Sequence, residues 1–181
     1  MTHLVIAYDT GAGHTRLLAE IIAEGANAEG ATVTIVDVAE AIDWDALNAA
    51  QAIVFGSPTF MGTVSAPFKA FMDATSDFWT AQPWRDKLAA GYTVGSSPSG
   101  DKVLTIVTLA TFAAQHGMLW IGQAEIGPPS RDDDLRLNAD GFSLGLGVTN
   151  ARDKSVMIEA PERDTARLFG ARIAIAAKRW G

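Results

Sequence analysis

The sequence predicts an α/β fold, a doubly wound five-stranded parallel sheet with strand order 2-1-3-4-5. Three observations predict it. Short apolar runs, typical of strands covered on both faces, alternate with segments of helical spacing. Five such units fit into 181 residues, the length of one domain with a sizeable core. Small, hydroxyl-rich or Pro-containing stretches follow the first, third and fourth strands, where an open parallel sheet holds its ligands.

Leu4-Val5-Ile6-Ala7 reads as the first strand, and Arg16 to Ile22, with paired apolar residues one turn apart, as the first helix. Thr32 to Val36 alternates and is β-branched, the second strand. A helical turn or two surrounds Trp44 and Leu47. Ala52-Ile53-Val54-Phe55 is a wholly apolar third strand. Ala66 to Phe78 has helical spacing, anchored by Phe68, Phe71, Met72 and Phe78. Leu88 to Val94 is the fourth strand. Val103 to Gln115 is a helix apolar nearly all round, so it is expected to be well buried. Met118-Leu119-Trp120-Ile121 is the fifth strand. The final helix starts near Pro161, with Glu162 and Asp164 at its start and Lys178 and Arg179 at its end, as the helix dipole favours. The chain reads as a single domain over 1–181, with a long loop segment at about 122–155.

The net charge of -7 opposes unspecific binding to nucleic acid or an anionic membrane, so neither partner is expected. Cysteine is absent, which excludes disulfides, a thiolate nucleophile and Cys-based metal sites. No metal site is expected elsewhere: Asp132-Asp133-Asp134 reads as a solvated turn, since adjacent carboxylates do not converge without special geometry. No secretory signal and no run long enough to span a bilayer is visible, so the expected location is cytoplasmic.

Between the first strand and first helix lies Tyr8-Asp9-Thr10-Gly11-Ala12-Gly13-His14-Thr15. Unpaired N–H groups at a helix start, together with the helix dipole, favour an anion there. No Lys follows, which removes the nucleoside triphosphate loop, and the third Gly of a dinucleotide fingerprint would fall at Arg16. A phosphate monoester suits the small residues and the Thr10 and Thr15 hydroxyls; a plain capped turn is the competing reading. Gly56-Ser57-Pro58-Thr59-Phe60-Met61-Gly62 follows the third strand, with a composition suited to a flat heteroaromatic ring. Gly95-Ser96-Ser97-Pro98-Ser99-Gly100-Asp101 follows the fourth.

On these residues the sequence resembles the flavodoxin-like fold, and more closely the tryptophan-repressor-binding-protein (WrbA) type of NAD(P)H:quinone oxidoreductase. The matching motifs are Gly13-His14, Gly56-Ser57-Pro58-Thr59-x-x-Gly62, Asp73-x-Thr75 followed by Phe78-Trp79, and His116-Gly117-Met118. The resemblance implies FMN as cofactor and NADH or NADPH as co-substrate. It implies that Thr10, Ala12, Gly13, His14 and Thr15 hold the FMN phosphate, and that Pro58, Thr59, Phe60, Met61 and Gly62 line the ribityl chain and ring. Ser96, Ser97, Ser99 and Gly100 would form the third loop. Trp79 would wall the site, in its own or a neighbouring subunit's pocket, and His116 would lie near the ring as the catalytic residue. The family's insertion after the second strand is much reduced between Asp37 and Gln51, and Phe60 stands where the family usually has Arg. His116 also suits a plain helix C-terminus, and Trp79 suits plain packing.

The implied reaction takes two electrons from NAD(P)H through the flavin to a quinone-like small molecule, in a homodimer or homotetramer. The alternative is a flavodoxin-type electron carrier. Against the carrier, the third loop has no aromatic to stack on the ring, and the only tyrosines are Tyr8 and Tyr92.

Overall fold

The computed structural model describes residues 2–130, 135–153 and 155–181; Asp132-Asp133-Asp134, expected as a solvated turn, lies outside the described residues. The chain runs β1 (His3–Tyr8), α1 (His14–Ala28), β2 (Thr32–Asp37), α2 (Trp44–Ala49), β3 (Ala52–Pro58), α3 (Ala66–Ala74), β4 (Leu88–Gly95), α4 (Lys102–Gln115), β5 (Leu119–Trp120), β6 (Leu146–Thr149) and α5 (Ala160–Trp180). All ladders between these strands are parallel, in the order β2-β1-β3-β4-β5, and β6 also pairs with β4. The predicted strand order is present, with a sixth strand added.

The fifth position of the sheet is therefore shared. Leu119 and Trp120 pair with Leu88 and Ala89, and Leu146 to Thr149 pair with Tyr92 to Gly95 further along β4. Between them the chain leaves the sheet and returns, so the predicted four-residue fifth strand shrinks to two residues and the expected loop contains β6. Gly145 and Gly147 permit the return. A Cβ on Gly145 would overlap the Gly91 carbonyl, and one on Gly147 would overlap the Phe142 ring.

Two further boundaries move. β3 continues through Gly56, Ser57 and Pro58, all buried, because its ladder with β4 extends to Ser57↔Thr93 and Pro58↔Val94. Proline ends the strand there, since it has no N–H to donate to the ladder. α3 stops at Ala74 and gives way to 3-10 turns at Thr75–Asp77 and Trp79–Ala81; the Thr75 hydroxyl donates to Met72 O at 2.7 Å.

Each face of the sheet carries its own core. On one face Leu4, Ile6 and Tyr92 meet Leu18 and Ile22 of α1 and Phe169 and Ile173 of α5. On the other, Phe55, Phe68, Phe71, Trp84 and Phe112 form an aromatic cluster, with Phe55 and Phe112 5.2 Å apart edge to face. α4 is less buried than expected. Ile106, Leu109 and Phe112 face the core, whereas Val103, Leu104 and Val107 are about half exposed on its outer face. Among the described residues no helix is long and apolar enough to cross a membrane.

Candidate functional site

The carboxyl ends of β1, β3 and β4 lie side by side, because β3 sits between the other two. The loops that follow these strands are thereby brought to one end of the sheet. The first loop leads into α1 through Gly13, whose φ of 91° turns the chain into the helix. Thr10 Oγ1 accepts from the Gly13 N–H at 3.1 Å and curls the loop, and Gly13 O accepts from the Leu17 N–H at 3.0 Å. No side chain caps α1 and its first turn holds no acidic residue, so the positive end of its dipole is open. Beneath it, the Tyr92 hydroxyl donates to Thr15 O at 3.2 Å; burial pushes that phenol well above its ordinary pKa, so it stays a neutral donor.

The second loop is anchored by threonines. Thr59 Oγ1 stands 2.8 Å from Thr93 Oγ1 on β4 and 2.8 Å from Thr105 Oγ1 on α4. The chain then reverses between Phe60 and Thr63, with φ of 49° at Met61 and 86° at Gly62, the two positive angles of a type I′ turn. Methionine is a costly residue for that backbone, and here it is fully exposed while Phe60 is half exposed. A strained, solvent-facing apolar tip is a common mark of a binding site. The third loop is exposed from Ser96 to Gly100, and Ser99 O accepts the Lys102 N–H at 3.1 Å.

A cavity of about 140 Å³ lies between the three loops, lined by Gly11, Ala12, His14, Thr15, Pro58, Thr59, Phe60, Val94, Gly95, Ser96 and Asn150. Of the expected residues, Ala12, His14, Thr15, Pro58, Thr59, Phe60 and Ser96 are brought together there. Thr10 and Gly13 shape the first loop from behind, and Met61 and Gly62 form the tip of the second. Ser99 faces away, into a groove of about 690 Å³ with Pro98, Val103 and Phe142. Neither Ser97 nor Gly100 lines the cavity. Asn150 was not expected: it follows the unforeseen β6, and its N–H donates to Gly95 O at 3.1 Å. Nothing in its sequence surroundings marked it.

His116 and Trp79 are not brought to these loops within one chain. α4 carries the chain about 20 Å from the third loop to His116. There His116 is buried, with Nε2 2.9 Å from Thr75 Oγ1 and its ring 4.7 Å from Trp84 and 4.9 Å from Phe112. Burial lowers its pKa, which favours the neutral imidazole. Trp79 is half exposed and donates through Nε1 to Gln115 O at 2.8 Å. Both line a separate cavity of about 540 Å³ with Lys69, Met72 and Asp73. A larger groove of about 770 Å³, bounded by Leu88, Trp120, Arg172 and Trp180, lies at the opposite end of β4 from the loops.

Comparison with known proteins agrees with the fold. The family model described as NADPH-dependent FMN reductase matches residues 44–129. Flavodoxin FldP of Pseudomonas aeruginosa is 36% identical over 179 residues, covering 96% of each chain. An NAD(P)H dehydrogenase (quinone) of Gluconacetobacter diazotrophicus is 28% identical over 200 residues, covering 98% of each. Among solved structures, a flavodoxin, WrbA-like protein from Agrobacterium tumefaciens superposes with a TM-score of 0.78 at 34% identity, over 100% of both chains.

Proposed function

Because the chain belongs to the WrbA-type flavodoxin-like family, we propose that it is an FMN-dependent oxidoreductase that passes two electrons from NADH or NADPH to a quinone. The residues present fit FMN. The open start of α1 has N–H groups, no acidic residue in its first turn and a hydroxyl-bearing loop, which is the donor set a phosphate monoester needs. The cavity of about 140 Å³ has room for the phosphate and part of a polyol, but not for a whole ligand of FMN's size. A flat ring would rest outside it, where Phe60 and Met61 offer exposed apolar surface.

Bound FMN supplies hydride acceptance from a nicotinamide and two-electron delivery to an acceptor. Thr10, Ala12, Gly13, His14 and Thr15 would hold its phosphate through N–H and O–H groups. Pro58, Thr59 and Ser96 would hold the polyol, Phe60 and Met61 would keep water from the ring, and Met61 and Gly62 would set the turn that presents them. Ser97, Ser99 and Gly100 would bound the site through the path of the third loop. Trp79, half exposed, would meet the ring only from a second copy, and His116, buried and neutral at neutral pH, would support that wall from behind through Thr75. The exposed Val103, Leu104 and Val107 face of α4 supports such a homodimer or homotetramer.

The observation that carries the enzyme reading is the third loop, exposed from Ser96 to Gly100 and without an aromatic residue to cover a ring. An open face admits nicotinamide and quinone in turn. The net charge of -7 and the relative named flavodoxin favour a second reading, an electron carrier. Steady-state oxidation of NADPH or NADH with benzoquinone and added FMN separates them. Sustained turnover supports the enzyme; flavin absorption bands without nicotinamide oxidation support the carrier; no bound flavin refutes both.

A further inference from the structure

Lys102 opens α4, and its side chain is wholly buried. A cation at a helix start opposes the dipole, and a buried ammonium is costly unless well paired. Its partners come from other parts of the chain. The ammonium contacts the Asp140 carboxylate, donates to Thr149 Oγ1 at 2.6 Å, and lies 5.6 Å from the centre of the Phe142 ring. The Thr149 hydroxyl donates in turn to the same Asp140 oxygen at 2.6 Å. Glu162 of α5 faces this group, and burial, then the Asp140 charge, pushes its carboxyl up to about 7 against the opposing pull of Lys102.

The lysine stem crosses the end of β4. A Cβ on Gly95 would stand 3.2 Å from Lys102 Cγ, closer than most real contacts. Gly95 pairs with Thr149 in the sheet, and the next residue, Asn150, donates its N–H to Gly95 O. Gly95 and Asn150 both line the cavity between the loops. The ammonium therefore ties the Lys102 end of the third loop to the end of β6 and to the excursion that carries Asp140, while Gly95, at the other end, is held to β6 by backbone pairing and packs under the lysine stem.

We propose that Lys102 is a positioning residue: held by Asp140 and Thr149, it fixes the third loop and Asn150 in the arrangement that binds FMN. The proposal rests on the FMN reading above. It explains why a costly buried charge stands directly behind the third loop.

The test is FMN titration of wild type and of Lys102→Met with Asp140→Asn, which removes both charges so that neither is left buried alone. Dissociation constants come from quenching of flavin fluorescence, the absorption bands of bound flavin report the ring's surroundings, and urea midpoints are taken without FMN. Expected are at least fivefold weaker FMN binding, flavin bands shifted towards free FMN, and an unchanged urea midpoint. A smaller change in affinity overturns the proposal, as does a loss that comes with a lowered midpoint. Should the double variant not fold, Thr149→Val decides: threefold or more weaker binding supports the role, and a smaller effect overturns it. Failure of wild type to bind FMN removes the underlying reading instead.

Discussion

The ring of Tyr92 occupies the space in which a Cβ of Gly56 would stand. The ring thus crosses from β4 over β3, and its hydroxyl reaches Thr15 in the first turn of α1. The glycine that begins the second motif therefore supports the first loop, two strands away in the sequence.

Gly56→Ala should consequently destabilise the protein by about 2 kcal/mol or more, since Tyr92 is fully buried and has nowhere to move. Tyr92→Phe removes only the hydrogen bond and should cost about 1 kcal/mol. Urea unfolding checks both. Equal midpoints for wild type and Gly56→Ala would contradict this packing.

Much of this arrangement was legible in the sequence, and the exceptions have physical causes. The apolar runs of β1, β3 and β4 are covered on both faces, so periodicity and composition sufficed. β6 escaped because Leu146-Gly147-Val148-Thr149 is short and flanked by glycine, usually a sign of a loop; its glycines serve close packing instead. The extent of β3 was misjudged because Gly56 and Pro58 look like breakers. The three loops were recognised from residue type, but which members face the cavity depends on turns that sequence alone does not fix. Ser99 turns away and Asn150 turns in. Nor does any pattern announce that Lys102, at a helix start, is wholly buried. His116 was placed near the ring by resemblance, yet α4 separates it from the loops of its own chain.

Glu162 gives the stability a pH dependence of definite sign. Its carboxyl is raised from 4.5 to about 7, so the folded chain holds the proton more tightly than the unfolded one. The resulting stability is full below about 4.5, is lost as pH rises through about 7, and amounts to on the order of 3 kcal/mol. Glu162→Gln, always neutral, should match wild type near pH 4.5 and be more stable near pH 8, as read by urea unfolding at both values. An equal pH dependence in the two proteins would show that Glu162 does not titrate in this way.

The outer face of α4 makes a prediction about assembly. Leu104→Glu with Val107→Glu places charge on the exposed apolar surface and should convert an oligomer into monomers, measured by sedimentation. If Trp79 and His116 act across copies, quinone turnover should fall at least tenfold with dissociation. A wild-type monomer with full turnover would rule out a role for either residue from a neighbour.

The central claim is that the open start of α1 clasps the phosphate of FMN. Its most direct measurement is a titration of the FMN-free protein with FMN and with riboflavin, which lacks only the phosphate. The account predicts one FMN per chain, riboflavin at least a hundredfold weaker, and loss of most of that difference in Gly13→Ala, where the φ of 91° disfavours a side chain. Equal affinity for FMN and riboflavin, or no binding of either, would contradict it.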